Sequence, residues 1–393
     1  MIWALAFGNF AIGIGAFVVV AVLSPIATDL GMTNAEAGMV MTVYALAYAI
    51  LSPLLVSFTG RASRRTVLIV ALAVFTASAI LAALSQSATL LYVARLAGAA
   101  GAGIFTPIAA SVAFSTAAPE ERGRALSRVF AGMTLSQALG LPVGGFLGYT
   151  FGWQSVFIVV AVLSVMSLAL VVMLVPRNVE APAASLRTLG SALADWRSML
   201  SVLVTASLTA SGYVVYTYVA PLLEQTMGFG RNGVTTILLV YGVGAVAGNW
   251  AAGFLTDRFG PFRSLLALVA VLVIITPLYS LLPLPVPILV ALAFATALCV
   301  WSFMVPQQAR LVRQTPQRQS VVLSLNAAAI YVGASIGSAV GSYVVAHHGL
   351  EWLGYASSLC WLLGLVHLVL SERLAPNPDQ PLAAPAASSA AAR

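Results

Sequence analysis

The sequence predicts an all-α membrane protein in which twelve spans form two pseudo-symmetric six-helix bundles. Three observations lead to this fold class: an extreme apolar composition, the positions of the arginines, and a repeat of half the chain length. The 393 residues are 61% apolar and 7% charged, whereas soluble globular chains are roughly 45–50% apolar and about 25% charged. This composition excludes a soluble enzyme, a disordered chain and a disulfide scaffold. Two cysteines are too few for a disulfide framework or a metal site, so we expect neither a metal nor a cofactor.

Each span is predicted from its length. About 20 mostly apolar residues cross a hydrocarbon layer about 30 Å thick, because each helical residue rises about 1.5 Å. Such runs lie near 3–27, 36–58, 66–86, 89–116, 125–149, 153–175, 198–224, 232–255, 263–282, 286–308, 319–346 and 351–371. The first run is too long for the apolar part of a signal peptide, and we interpret it as the first span.

These runs divide the chain into four parts. We predict an N-terminal six-helix bundle over 1–175, a cytoplasmic linker over 176–197 and a C-terminal six-helix bundle over 198–373. The remainder, 374–393, is rich in Pro, Ala and Ser, a composition typical of disordered tails.

The arginines support this count. All 18 basic residues are arginine, and cytoplasmic loops of membrane proteins are rich in basic residues. With both termini in the cytoplasm, sixteen arginines fall on that side; only Arg231 falls on an outer loop, and Arg95 lies within a span. One miscounted span would invert the pattern downstream of it.

The two halves resemble each other when the sequence is shifted by 197 residues. Gly31 then coincides with Gly228, Tyr44 with Tyr241 and Pro119 with Pro316. Two repeated bundles with a site between them are the architecture of secondary transporters, in which one bundle rocks against the other.

Two predicted cytoplasmic loops carry a motif. The loop after span 8 reads Gly253-Phe254-Leu255-Thr256-Asp257-Arg258-Phe259-Gly260, and its first-half counterpart reads Gly60-Arg61-Ala62-Ser63-Arg64-Arg65. The former resembles the signature loop of the major facilitator superfamily. The resemblance implies a conformational latch formed by Arg61, Arg64, Arg65, Asp257 and Arg258. The alternative is that these charges only fix the topology.

Span 5 and its counterparts carry glycine stripes. Span 5 contains Gly140, Pro142, Gly144, Gly145 and Gly148, which resembles the Gly-Pro motif of efflux members of the superfamily. Further stripes are Gly244 and Gly248 in span 8, and Gly333, Gly337 and Gly341 in span 11. Stripes of small residues allow close helix contact. The resemblance implies that spans 5 and 8, and spans 2 and 11, meet across the halves, so we expect these stripes to let the halves slide. Static packing would require the same glycines.

The first 160 residues resemble the drug:proton antiporter-1 branch, and among its members the bacterial arabinose-efflux-like and multidrug permeases. The resemblance rests on the segments Phe10–Gly13, Ser24–Ala27, Asp29–Gly31 and Tyr44–Tyr48 and on Gly152-Trp153. It implies a carrier that exports small organic compounds by alternating access. The rival hypotheses are a sugar or metabolite carrier, an uncoupled facilitator on the same fold, and a non-transporting membrane receptor. Because no intramembrane His/Asp/Glu constellation is present, we do not expect an enzyme.

Proton coupling lacks its usual acid. Many relatives place a Glu in span 1 where this chain has Ala16, and no Asp or Glu lies in the middle of a predicted span. The remaining coupling candidates are Asp29, near the outer end of span 1, and Arg95 in span 4. A charge inside a membrane is costly, so Arg95 should face a cavity or a partner; alternatively it snorkels or holds helix ends. His367 in span 12 titrates near neutral pH in principle, but we interpret it as packing.

The resemblance implies a central cavity lined by spans 1, 2, 4, 5, 7, 8, 10 and 11. The polar and aromatic candidates for substrate binding on these spans are Phe17, Tyr44, Tyr48, Arg95, Gln137, Tyr213, Tyr216, Tyr241, Asn249, Trp301 and Asn326. Aromatic rings with few hydrogen-bonding groups suit amphipathic organic molecules. The expected partners are therefore a small-molecule substrate, protons and the lipid bilayer of the bacterial inner membrane, and not nucleic acid; we expect a monomer.

Overall fold

The computed structural model describes residues 1–59, 62–118, 121–177, 179, 193–315 and 319–375, without the side chains of 319–321. Every regular element within these ranges is helical. Twelve spans are long and apolar enough to cross a membrane, which confirms the predicted number. They are Ile2–Ala21, Asn34–Phe58, Arg64–Ala83, Ala88–Thr116, Arg122–Phe151, Gln154–Leu174, Trp196–Met227, Arg231–Phe259, Pro261–Leu281, Val286–Gln314, Val322–His347 and Leu350–Arg373, numbered here as spans 1 to 12. Arg61, most of the predicted linker and the tail from residue 376 lie outside the described residues.

The repeat is visible in the backbone. Gly31 and Gly228, which are 197 residues apart, both adopt a positive φ, at +62° and +64°. Gly152 and Gly349, with the same separation, do so at +85° and +97°. Side chains with a Cβ rarely adopt this conformation, so glycine is needed where the chain turns after spans 1, 5, 7 and 11. The same turns therefore end corresponding helices of the two bundles.

Spans 1 and 7 are interrupted at corresponding depths. Span 1 is α-helical over Ile2–Phe17 and then forms a 3-10 segment over Val18–Ala21. Span 7 is α-helical over Trp196–Tyr216 and resumes at Val219–Met227. Carbonyl groups at such interruptions lack their usual helical partners and need other donors.

The glycine stripe of span 5 packs within its own bundle. A Cβ built at Gly140, Gly144 or Gly148 would contact Ile14, Val18 or Val22 of span 1 and its extension. The contacting residues are thus spaced four apart on both helices, so the two faces match along their length. The expectation that this stripe lies between the halves is wrong, because its open face is filled by the branched side chains of span 1.

The other stripes follow the same rule. Gly333, Gly337 and Gly341 of span 11 contact span 7, at Ala206, Ala210 and Tyr218. Gly244 and Gly248 of span 8 approach the backbone of span 10. These glycines likewise close contacts inside the C-terminal bundle and not between the bundles.

The bundles meet through other residues. Span 2 packs on span 11 and span 5 on span 8, as the resemblance implied. At the second contact, a Cβ built on Gly242 would lie 2.6 Å from the carbonyl oxygen of Ala138, and one on Gly145 would lie 3.4 Å from Leu238. Gly242 and Gly145 therefore allow close approach of spans 5 and 8, and Gly38 of span 2 likewise meets the ring of Tyr218 in the other bundle.

Candidate functional site

Aromatic side chains converge where the two bundles meet in the middle of the structure. Tyr216 of span 7 lies 5.3 Å from Tyr213, 5.2 Å from Tyr241 and 6.4 Å from Trp301, measured between ring centroids. These residues come from spans 7, 8 and 10 and belong to one buried cluster with Tyr44 and Tyr48 of span 2. Six predicted binding residues are thus brought together, and we call this set the aromatic cluster.

One ring pair crosses directly from bundle to bundle. Tyr48 stacks on Tyr331 of span 11 with ring centroids 3.6 Å apart. Sequence reasoning missed Tyr331, although it lies in mid-span on a helix predicted to line the cavity. Its position in the middle of span 11 is the signal that could have identified it.

Arg95 is buried in the N-terminal bundle beside the interruption of span 1. Its Nη1 donates to the carbonyl of Gly15 at 2.6 Å, and its Nη2 donates to the carbonyl of Ala16 at 3.0 Å. Its Cζ lies 4.0 Å from the ring centroid of Tyr44, within range of a cation–π contact. Arg95 therefore holds the end of the first helical segment through two backbone carbonyls.

Several buried polar atoms of the site have no hydrogen-bond partner among the described residues. They are the hydroxyls of Tyr44 and Tyr216, the indole nitrogen of Trp301 and the Nε of Arg95. An unsatisfied buried polar group costs about 1–3 kcal/mol. These groups are therefore available to hydrogen-bond a ligand that enters between the bundles.

The remaining predicted binding residues differ in placement. Phe17 is buried at the end of the first segment of span 1, whereas Gln137 and Asn249 are half-buried on spans 5 and 8. Asn326 is buried and accepts a hydrogen bond from the hydroxyl of Thr205. Asn326 thus ties span 11 to span 7.

A second buried amide lies in the N-terminal bundle and was missed by sequence reasoning. Asn9 donates to the carbonyl of Val129 at 3.1 Å and accepts from the hydroxyl of Thr106 at 2.9 Å. Polar residues in mid-span, such as Asn9 in span 1, are the signal that was available.

Asp29 lies at the outer end of the N-terminal bundle. It is exposed, and one oxygen of its carboxylate accepts from the indole nitrogen of Trp153 at 2.8 Å and from the amide of Gln154 at 2.7 Å. Both partners stand at the start of span 6. These contacts fasten two helix ends of the same bundle.

The predicted latch residues lie at the arginine-rich ends of the spans. Arg64 is buried, and Arg65 donates to the carbonyl of Val172 on span 6. Asp257 and Arg258 are exposed, and Arg258 lies over the rings of Phe254 and Phe259. Arg65 thus contacts its own bundle.

Three hydrogen bonds between described residues join the bundles, and all lie at the ends predicted to face outwards. Tyr149 donates to the carboxylate of Glu224. Arg231 donates to the hydroxyl of Thr150 at 3.0 Å, and Ser342 donates to the carbonyl of Ala35 at 2.9 Å. At the arginine-rich side, the described residues form no such bond. The structure is therefore closed at the predicted outer side.

Twelve spans in two repeated bundles, with a polar and aromatic site between them, define a secondary transporter. The chain belongs to the Major Facilitator Superfamily, whose sequence profile matches residues 5–306 and 253–392. It is accordingly a multi-pass membrane transporter and not an enzyme.

Two bacterial relatives match along most of the chain. It is 30% identical over 362 residues to YtbD of Bacillus subtilis (strain 168), covering 89% of this chain and 90% of the relative. It is 26% identical over 371 residues to YbcL of the same organism, covering 94% and 95%. Both are described as uncharacterized MFS-type transporters.

Solved structures share the fold at low sequence identity. A bacterial homolog of the human lysosomal transporter Spinster, crystallised in an inward-facing and occupied conformation, matches with a TM-score of 0.77 at 15% identity over 95% of this chain and 96% of that chain. Its inward-facing and unoccupied conformation matches with a TM-score of 0.69 at 16% identity.

Proposed function

We propose that the chain exports small organic, drug-like compounds by alternating access and exchanges them for protons. This places it in the drug:proton antiporter-1 branch and in the bacterial inner membrane, with both termini in the cytoplasm. The observation that carries the proposal is the aromatic cluster at the meeting of the bundles, with its unpartnered hydroxyl and indole groups. Flat rings with a few hydrogen-bonding atoms bind amphipathic aromatic molecules well.

The closed outer side is the state in which an exporter would take up its substrate. In this arrangement a compound would reach the cluster from the arginine-rich side and leave once the outer hydrogen bonds break. An exporter needs this state to be populated before substrate binds. The sixteen arginines predicted on one side give that side its cytoplasmic orientation.

Proton coupling requires a group that titrates while it is exposed to each side of the membrane in turn. Arg95 and Asp29 remain the coupling candidates, and Arg95 lies on the carbonyl of Ala16 with no carboxylate paired to it among the described residues. Asp29 is fastened to the start of span 6. An uncoupled facilitator is the alternative favoured by the absence of a span 1 acid.

A sugar carrier is the second candidate on this fold. Sugars need several hydrogen-bonding side chains, and the buried Asn326 is engaged with Thr205. The aromatic composition of the site favours amphipathic compounds over sugars.

Purified protein in proteoliposomes tests the proposal directly. We would load aromatic drugs, sugars and nucleosides in turn and record their flux together with the internal pH. We expect flux of aromatic compounds with an opposed movement of protons, which weakens in Tyr216→Phe and persists in the control Tyr355→Phe, where the ring lies exposed on span 12. Flux without proton movement removes antiport, and flux of sugars alone removes the drug-like substrate class.

A further inference from the structure

We propose that a side pocket in the C-terminal bundle binds a neutral oxygen-bearing group of the substrate, either a hydroxyl or a carbonyl. This side pocket lies among spans 7, 8, 9, 10 and 12 and has a volume of about 10 Å³, room for one water-sized group. Its lining includes Gly212, Tyr216, Tyr241, Thr276, Thr296 and Trp361. The inference rests on the proposed function, since it names the chemistry of the compound carried.

Three polar atoms on the lining residues have no hydrogen-bond partner among the described residues. They are the hydroxyl of Tyr216, the hydroxyl of Thr296 and the indole nitrogen of Trp361, on side chains that are 4%, 6% and 0% exposed. An indole nitrogen can only donate, whereas hydroxyls both donate and accept. An oxygen atom that accepts from Trp361 and exchanges a hydrogen bond with a hydroxyl satisfies this set.

The absence of charged residues in the side pocket determines whether the bound group is neutral or charged. None of its lining residues is Asp, Glu, Arg or His. A charged group moved from water into such surroundings would lose its hydration without a counter-ion. The side pocket therefore takes a neutral group and rejects an ammonium.

The other bundle has a cavity at the corresponding place with a different kind of lining. It includes Gly15, Ala79, Ala82 and Val160, and also Ser78 and the charged Arg95. At a separation of 197 residues, Ala79, Ala82 and Val160 correspond to Thr276, Tyr279 and Ser357 of the side pocket. Three hydroxyl-bearing positions of the side pocket are therefore apolar in the N-terminal cavity, which contains a charged residue instead.

The side pocket adjoins the aromatic cluster. Tyr216 and Tyr241 line the pocket and also stack on each other within the cluster, 5.2 Å apart. An aromatic compound can therefore place its ring among the tyrosines while its oxygen reaches Trp361 and Thr296. This arrangement gives the substrate an orientation.

Two matched threonines make a direct test. The hydroxyl of Thr296 lies near the hydroxyl of Tyr279 but makes no hydrogen bond of good geometry among the described residues, whereas that of Thr276 donates to the carbonyl of Leu272 in its own helix at 2.8 Å. Both side chains line the side pocket, and valine replaces either one with the same shape. Gly212→Ala adds a methyl group that would lie 3.5 Å from Trp361, so the folded protein accommodates it while the pocket becomes smaller.

The measurement is equilibrium dialysis of the full chain in detergent against three tritiated probes of one scaffold: naphthylmethanol, methylnaphthalene and naphthylmethylammonium. We expect the alcohol to bind more tightly than either analogue. Thr296→Val and Gly212→Ala should each weaken the alcohol about threefold to tenfold without affecting methylnaphthalene, and Thr276→Val should leave all three unchanged.

Equal binding of the alcohol and the hydrocarbon in the wild type, or undiminished alcohol binding in Thr296→Val, overturns the inference and leaves the pocket as a site for water only. Failure of the proposed function looks different. In that case the probes are not moved across proteoliposome membranes, whatever their affinities. Thermal unfolding of the three variants without probe checks that they are folded.

Discussion

Replacing Tyr149 by phenylalanine should open the outer side of the protein more often. Tyr149 of span 5 donates its hydroxyl to the carboxylate of Glu224 on span 7, and this bond joins the two bundles. The substitution removes only the donor, since the ring keeps its place. The closed state then loses a contact that an outward-open state does not make.

The magnitude follows from the type of bond. A hydrogen bond to a charged group contributes about 1.5–3 kcal/mol. Both side chains are half-buried, so water competes for them and the lower end of this range applies. Because about 1.4 kcal/mol corresponds to a factor of ten in an equilibrium, the ratio of outward-open to closed molecules should rise roughly tenfold.

Spin labels can measure this ratio. Gln86→Cys and Val286→Cys place labels at exposed positions on the outer ends of the two bundles, once Cys299→Ala and Cys360→Ala have removed the native thiols. Pulsed dipolar spectroscopy then gives the distance distribution between the bundles. We expect a longer distance to gain population in Tyr149→Phe.

Tyr92→Phe is the matched control. Tyr92 also donates its hydroxyl at the outer side, but its acceptor, the carbonyl of Glu36 at 2.9 Å, belongs to the same bundle. Its substitution should leave the distance distribution unchanged. If Tyr149→Phe also leaves the distribution unchanged, the bond to Glu224 does not hold the outer side closed.

Three further substitutions test packing and the latch. Gly337→Ala should lower the thermal unfolding midpoint by several degrees, because its Cβ would clash with the backbone of span 7, whereas Gly253→Ala, with open space around it, should not; equal midpoints would contradict the close contact. Arg310→Ala should lower the free energy of unfolding by about 2 kcal/mol in denaturant titrations, since Arg310 is buried and pairs with the partly exposed Glu372 at 2.6 Å. Replacement of the exposed Arg313 by alanine should leave stability unchanged. If Arg310→Ala also leaves stability unchanged, the ion pair contributes nothing. Asp257→Asn should slow turnover in proteoliposomes without changing substrate affinity, and unchanged turnover would remove Asp257 from the latch.

The spans and most of the aromatic cluster were predictable because both depend on local composition. A helix that crosses the lipid must be mostly apolar along its length, so each span can be recognised from the sequence. Tyr213, Tyr216 and Tyr241 lie in the middle of their spans, whereas tyrosines of membrane proteins are enriched at the membrane–water interfaces. The structure brings these three rings together.

The partners of these helices were not predictable in the same way. A stripe such as Gly140, Gly144 and Gly148 predicts that another helix packs closely against it. Because glycines have no side chains, the stripe does not show which helix that is. Asp29 illustrates the same limit, because its partner Trp153 is 124 residues away. The sequence predicts its carboxylate near the outer end of span 1, and only the fold shows that it binds Trp153 and Gln154 at the start of span 6.

A reversible crosslink across the outer side tests alternating access most directly. Ser342 and Ala35 lie within hydrogen-bond contact across the bundles, so Ser342→Cys with Ala35→Cys can form a disulfide in the thiol-free background. If the two bundles must separate during transport, oxidation should stop flux of the transported compound in proteoliposomes and reduction should restore it. Undiminished flux through the oxidised protein would contradict the account, because the compound would then cross without the two bundles separating.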